Sequence, residues 1–296
     1  MRLVLLALGA FAAGALSAAA AHENQSQSDV QIKSTQVAGS VYMLEGKGGN
    51  IGACVGEDGI LIVDDQFAAL AEKIRAALSA LNPGPVQFIL NTHYHGDHVG
   101  GNPVFGKEGT IIAHENVRKR VTARQQRGDR TTEPLARAGW PVVTFEDNVH
   151  VHFNGEDIRF IHLPAGHTDG DAIVYFPKAD VVHMGDLLFT GRFPFIDTDG
   201  GGTVEGYMKN LAWVMFNMPA TAQFIPGHGS LATMDDVKAM HEMMRETSTM
   251  VKKLVAEKKT LAEIKAAGVP EEFKSFEWDF VPGDKWLETL YAAYSR

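Results

Sequence analysis

From about residue 36 onward the chain alternates short apolar runs with turn residues. Val41-Tyr42-Met43-Leu44, Ile51-Gly52-Ala53-Cys54-Val55 and Ile60-Leu61-Ile62-Val63 read as strands. Gly48-Gly49-Asn50 and Glu57-Asp58-Gly59 supply the turns between them. Residues 67–81 place apolar side chains at helical spacing and stop at the breaker cluster Asn82-Pro83-Gly84-Pro85, and a buried strand follows at 86–90. Further strands are predicted at 110–113, 142–145, 158–163, 172–176 and 181–184, and helices at 115–124, 204–217, 234–256 and 284–294. Strands arriving in groups, punctuated by helices, suit two sheets packed face to face with helices outside. Met240, Met243, Met244 and Met250 in the longest helix read as core filling.

The first residues follow a different pattern. Arg2, an apolar run over 3–16 and Ala19-Ala20-Ala21 ahead of His22 predict a cleaved export signal over residues 1–21. A flexible polar leader over 22–35 and one domain over 36–296 complete the expected organisation. The mature chain is then periplasmic or secreted, with no stable membrane anchor. Charge adds one exclusion: 27 Lys and Arg against 36 Asp and Glu give −9, with no long basic block, so nucleic acid is not an expected partner. The arginine- and glutamine-rich stretch 117–134 reads as a solvated helix and loop. The single cysteine, Cys54, excludes an internal disulfide and any multi-thiolate metal site, which leaves nitrogen and oxygen donors. Twelve histidines supply the nitrogen.

The chemistry concentrates after the 86–90 strand, in Thr92-His93-Tyr94-His95-Gly96-Asp97-His98. On an extended chain His93, His95 and Asp97 share one side, and Gly96 permits a turn that brings His98 round. Burying these groups together without a cation costs several kcal/mol in unsatisfied polar atoms, so the segment points to metal. His167 beside Gly166, Asp186 beside Gly185 and His228 between Gly227 and Gly229 each follow an apolar run. Together the seven make five imidazoles and two carboxylates, an inventory for two divalent ions of intermediate softness that Asp186 could bridge.

The order and context of these motifs resemble the metallo-β-lactamase fold superfamily, over roughly residues 41–228. The resemblance implies an αββα sandwich of the α/β (α+β) class, two mixed sheets with helices outside and the metals at one edge. It implies two zinc ions per chain, one held by His93, His95 and His167, the other by Asp97, His98 and His228. Asp186 bridges them, and Asp64 supports the metal loop from behind. The implied activity is hydrolysis of an ester, thioester, lactone or β-lactam bond in a small-molecule substrate by a hydroxide held between the zincs, with Asp97 also orienting that hydroxide and passing a proton to the leaving group. A phosphodiesterase on the same site, a di-iron redox centre and a non-catalytic metal- or partner-binding module are the alternatives.

One departure separates the chain from a large group of true β-lactamases: Asp186 stands where they have a cysteine, and Leu187-Leu188-Phe189 follows in place of a substrate-gripping lysine, with Arg192 the nearest cation. Walls for the site are expected from residues 189–204, with Arg192, Phe193, Phe195 and hinge-like Gly200-Gly201-Gly202, and from Trp278 and Phe280 or the polar stretch 117–134. Thr168 and Asp169 are expected to orient ligands. His150 and His152 read as solvent-facing strand residues, and His114, His162, His183 and His241 show no metal context.

Overall fold

The structure, a computed structural model, describes residues 29–127 and 130–295. The expected signal and residues 22–28 of the leader lie outside these residues. Strand β4 (Gly59–Val63) shows how the layers arise. All of it is buried, and its alternating side chains feed two clusters: Leu61 and Val63 on one face, Ile60 and Ile62 on the other. Such a strand belongs inside a sheet covered on both sides. The first sheet runs β1 (Lys33–Ala38), β2 (Val41–Glu45), β3 (Ile51–Gly56), β4, β5 (Val86–Asn91), β6 (Thr110–His114), β9 (Val143–Phe145). It is antiparallel through β4 and parallel beyond.

The second sheet runs β10 (Asn148–Phe153), β11 (Glu156–His162), β12 (Ala172–Phe176), β13 (Val181–Phe189), β14 (Gln223–His228). Val174 and Phe176 of β12 face Leu61, Val63 and Leu90 across the inter-sheet core, which also takes in the buried Cys54. Ile173 and Tyr175 face the helices behind.

Helix α1 (Ala71–Leu81) covers the first sheet through Ile74 and Leu78, a stripe at helical spacing that meets Ile60, Ile62 and Ile89. Short turns α2 (Gly96–Val99) and α3 (Asn102–Phe105) and helix α4 (Glu115–Val121) follow β5 and β6. The second sheet is covered by α5 (Val204–Asn217), α6 (Met234–Ala256) and α8 (Gly283–Tyr294), with α7 (Leu261–Ala267) between the last two. Thr203 caps α5 by accepting from Gly206 N, and Thr233 with Asp236 forms a capping box on α6, which fixes both starts where the sequence predicts them. Met240, Met243 and Met244 are buried in the cluster under these helices, as core residues should be. The result is the expected four-layer αββα sandwich. Among the described residues no helix is long and apolar enough to cross a membrane.

Four expectations change. Residues 33–35, assigned to the leader, begin β1, an edge strand whose exposed and half-buried side chains carry no apolar alternation to reveal it. The helix predicted from 67 begins at Ala71 after a 3-10 turn (Ala68–Leu70), and the one predicted to 124 ends at Val121, where Thr122 Oγ1 turns back to donate to Arg118 O. The polar stretch also contains a small hairpin, β7 (Gln125–Arg127) and β8 (Arg130–Thr132).

Candidate metal centre

After β5 the chain bends at Thr92 and His93 and is extended again at His95, and α2 then makes a single turn beginning at Gly96. That turn swings Asp97 and His98 away from the line of His93 and His95. The second sheet brings the rest: His167 from the loop between β11 and β12, Asp186 from β13, and His228 from the last position of β14. All seven predicted side chains meet, as two groups. His93, His95, His167 and Asp186 form one; Asp97, His98 and His228 form the other, with the donor atoms of each group within 4.8 Å of one another.

Asp186 faces both groups with different oxygens. Its Oδ2 lies 3.4 Å from His167 Nε2 and 3.8 Å from His93 Nε2, while Oδ1 lies 3.1 Å from His98 Nε2 and 3.4 Å from His228 Nε2. Asp97 Oδ2 is 3.3 Å from His228 Nε2 and 3.7 Å from His98 Nε2. His95 turns its Nδ1 inward, 2.8 Å from His167 Nε2. Two glycines make the approach possible. A Cβ on Gly227 would overlap Asp186 Oδ1, and Gly185, in the left-handed region at φ +51°, sits where a Cβ would lie 2.6 Å from Thr92 Oγ1.

Outward-facing atoms of the imidazoles are held by the protein. Asp64, fully buried behind β4, accepts from Thr92 N at 2.8 Å and Thr92 Oγ1 at 2.7 Å, and its Oδ2 lies 2.8 Å from His98 Nδ1. Thr92 Oγ1 lies 3.0 Å from His93 Nδ1. His167 Nδ1 donates to Phe195 O at 2.7 Å. His95 Nε2 lies 2.8 Å from Asp197 Oδ2, which also accepts from Tyr94 Oη. In contrast, His93 Nε2, His98 Nε2 and Asp186 Oδ1 are buried and point inward, and none makes a hydrogen bond of good geometry, the last two only facing each other at 3.1 Å. Buried polar atoms rarely go unsatisfied, and three orphan donor atoms converging on the same points fit divalent cations.

Without a cation, protons take over the neutralising role. Burial opposes charge on His98, but Asp186, Asp97 and Asp64 around it hold it protonated well above the usual imidazole range. Burial is likewise overcome at His228, where Asp186 and Asp97 raise the pKa to about 9. Burial drives His93 well below its ordinary value and His167 down to about 4. For the carboxylates burial would favour the neutral form, yet His98 and its neighbours keep Asp186 well below the carboxylate range and Asp97 at about 2. Cationic imidazole and anionic carboxylate therefore alternate where a metal would do the same work.

The cluster floors an open cleft of about 580 Å³. Phe189, Arg192, Phe195, Trp278 and Phe280 wall it, all among the expected residues, and Lys47 from the β2–β3 loop adds a cation. Phe193 does not reach it and is buried against Trp286. The Gly200–Gly202 run is no hinge: added Cβ atoms there would collide with Asp197, Asp169 and the backbone of His167, so these glycines mark close packing. The polar stretch 117–134 walls a separate cavity of about 230 Å³ behind His95, beside Arg120 and Tyr94.

Other assignments divide. Thr168 acts near the site through Asp171, but Asp169 turns away into a bidentate pair with Arg120, at 2.9 and 2.6 Å. Asp171, not singled out in the sequence, accepts from His167 N and Thr168 N and so shapes the ligand loop; burial raises its pKa to about 8. Its local signal was an acid four residues after a glycine-flanked histidine. Asp197, equally unforeseen, had no local signal, since its partner His95 lies 102 residues away. His183 is buried beneath the cluster with Nε2 donating to Asn50 O, and His114 stacks on His162 with ring centroids 3.7 Å apart. His150 and His152 are exposed on β10 beside Asp157.

Comparison with known proteins agrees with this architecture. A family model described as the Metallo-beta-lactamase superfamily matches residues 35–228. The 2,4-dinitroanisole O-demethylase subunit alpha of Nocardioides sp. (strain JS1661) is 30% identical over 47% of this chain and 41% of its own length. A hydroxyacylglutathione hydrolase of Synechococcus sp. (strain JA-3-3Ab) is 32% identical over 35% of each chain. The chain thus spans under half the length of these two relatives. The crystal structure of DIM-1 metallo-beta-lactamase superposes with a TM-score of 0.61 at 14% identity, covering 74% of this chain and 99% of that one.

Proposed function

This chain belongs to the metallo-beta-lactamase superfamily, and from that premise we propose that it is a dinuclear zinc hydrolase that cleaves an ester, thioester, lactone or β-lactam bond in a small molecule. One observation carries the reading: two donor groups share Asp186, one oxygen to each, at the floor of an open cleft. His93, His95 and His167 would hold one ion, and Asp97, His98 and His228 the other. Nitrogen and oxygen donors without thiolate suit zinc at both positions. When bound, such ions polarise a carbonyl and lower the pKa of water toward about 7.

The chain's own residues contribute orientation and proton handling. Asp97 stands at the cleft with its side chain about one-third exposed and is ionised at neutral pH, so it can accept a proton from water at the cluster and deliver it to the leaving group. Asp64, Thr92, Asp197 and Phe195 O fix the imidazole rings, so no reorganisation is needed during reaction. Phe189, Trp278 and Phe280 screen one side of the cleft from water. The hydroxyacylglutathione hydrolase relatives support an acyl bond as the target. We also propose export to the periplasm or exterior, supported by the signal-like pattern of residues 1–21.

The test is a panel of ester, thioester, lactone, β-lactam and phosphodiester substrates on zinc-loaded protein beside His95→Ala. Acyl-bond turnover that chelation abolishes and zinc restores is expected. Turnover that survives both chelation and His95→Ala would overturn the reading, and a phosphodiester turned over faster than every acyl substrate would replace it.

A further inference from the structure

Half of the aromatic side of the cleft, Trp278 and Phe280, comes from a segment outside the family-matched residues 35–228. Trp278 is fixed by its Nε1, which donates to Phe193 O at 2.9 Å, and Phe193 N donates to Phe276 O at 2.8 Å. With its only polar atom engaged, the indole presents ring surface to Phe189 and Phe280, at centroid distances of 6.0 and 5.4 Å. Phe280 packs edge-on to Phe195 at 5.3 Å and carries the Lys285 ammonium over its ring at 4.1 Å, yet remains 50% exposed, one of only a few large apolar side chains so placed among the described residues. An aromatic ring left half in water beside a polar cluster is what a ligand would cover.

Arg192 adds a second feature. Its guanidinium lies over Trp278, with Cζ 5.1 Å from the ring centroid, and its side chain forms no ion pair or hydrogen bond with any described residue. A guanidinium held by a ring alone keeps its N–H groups available for an anion. Among the described residues the only carboxylates lining the cleft are Asp97 and Asp186, both committed to the metal cluster.

Resting on the hydrolase reading above, we propose that the cleft selects acyl substrates that carry both an aryl group, seated on Phe195, Trp278 and Phe280, and a separate carboxylate, held by Arg192. Three methyl esters separate the contributions in a pH-stat assay of zinc-loaded protein: monomethyl phenylsuccinate has ring and carboxylate, monomethyl succinate lacks the ring, and methyl 3-phenylpropanoate lacks the carboxylate. Monomethyl phenylsuccinate should exceed each of the others in kcat/KM by at least about tenfold, mainly through KM. Phe280→Ala should abolish the preference for the ring and keep that for the carboxylate, and Arg192→Gln should do the reverse. Neither side chain is part of the buried core, and circular dichroism and zinc content check each variant.

Calorimetry on metal-free protein gives an arm independent of catalysis. Phenylsuccinate should bind at least about tenfold more tightly than succinate, and Phe280→Ala should erase the difference. Equal kcat/KM for the three esters, or preferences that survive both variants, overturns the proposal. If no ester is cleaved, calorimetry alone decides: ring-dependent binding keeps the subsite while the hydrolase reading fails, and equal binding of phenylsuccinate and succinate overturns the subsite.

Discussion

Asp64→Asn tests whether one buried carboxylate sets the tautomers of two ligands. Asp64 Oδ1 accepts from the Thr92 backbone N–H, a polarity that cannot reverse, so the amide nitrogen of an asparagine must take the place of Oδ2. In the native protein Oδ2 accepts the Thr92 hydroxyl proton and faces His98 Nδ1. His98 therefore carries its proton on Nδ1 and offers Nε2 inward. Because the Thr92 hydroxyl is spent on Asp64, its oxygen accepts from His93 Nδ1, and His93 also offers Nε2 inward. An amide at this point donates where the carboxylate accepted. His98 Nδ1 must then become an acceptor, and the Thr92 hydroxyl turns to donate to His93 Nδ1, so both rings move a proton onto the ligating atom.

The backbone tolerates the exchange, since position 64 sits at φ +63°, a conformation asparagine adopts readily. Removing such an outer partner costs about 10–100-fold in metal affinity, or about 1.4–2.8 kcal/mol. His93 and His98 lie in different donor groups, so both sites should weaken. Competition with a chromophoric zinc chelator at fixed pH measures this, and nitrogen NMR of the two imidazoles reads the tautomers. Folded Asp64→Asn that keeps both affinities within about threefold of wild type, against the decades expected, would refute the reasoning.

Asp97→Asn should lower kcat by about a hundredfold or more while zinc content, by elemental analysis, falls far less; equal losses would reduce Asp97 to a ligand. Metal binding should release protons, because His98 and His228 are imidazolium in the metal-free protein near neutrality, so calorimetry in buffers of different ionisation enthalpy should show net release and affinity should rise with pH. For stability, burial and the neighbouring His162 lower the His114 pKa to about 4. The unfolded chain then binds the extra proton between about 6.5 and 4, so this contribution is complete above about pH 6.5 and is lost as pH falls to about 4, at most about 3 kcal/mol. His114→Asn keeps a helix cap and should flatten that part of the denaturant-unfolding profile; an unchanged slope would contradict it.

The seven cluster residues were legible because each sits beside glycine or inside one dense motif, and because burying so many imidazoles and carboxylates together is costly unless a cation sits among them. Helices α5 and α6 were legible to the residue because Thr203 and Thr233 cap them locally. What escaped depends on distant partners. Strand β1 is polar and owes its conformation to the β2 edge. Asp197 gains meaning only when the loop before α5 is laid against α2, and Asp169 and Asp171 differ only in that one meets Arg120 and the other meets the backbone of its own loop. Spacing alone treats these two acids alike. The glycines at 200–202 show the same limit, since their small size reflects neighbours, not motion.

The placement of the cluster couples chemistry to the joining of the two sheets. His93, His95, Asp97 and His98 follow the first sheet, and His167, Asp186 and His228 belong to the second. In the core between them the sheets meet through apolar side chains; at this end they are pinned by peptide groups, with Asn50 N donating to Gly227 O at 2.7 Å and Ala172 N donating to Thr92 O at 2.8 Å. Asn50 Nδ2 also donates to Pro226 O and Gly229 O. A cation bound by His93, His95, His167 and Asp186 would draw on both sheets, as would one bound by Asp97, His98 and His228. Neither sheet alone presents either donor set, so metal at a hundred times its dissociation constant would add about 2.7 kcal/mol per site to the association of the sheets. The rigidity that positions the imidazoles and the stability of the inter-sheet seam are thus two consequences of the same bonds.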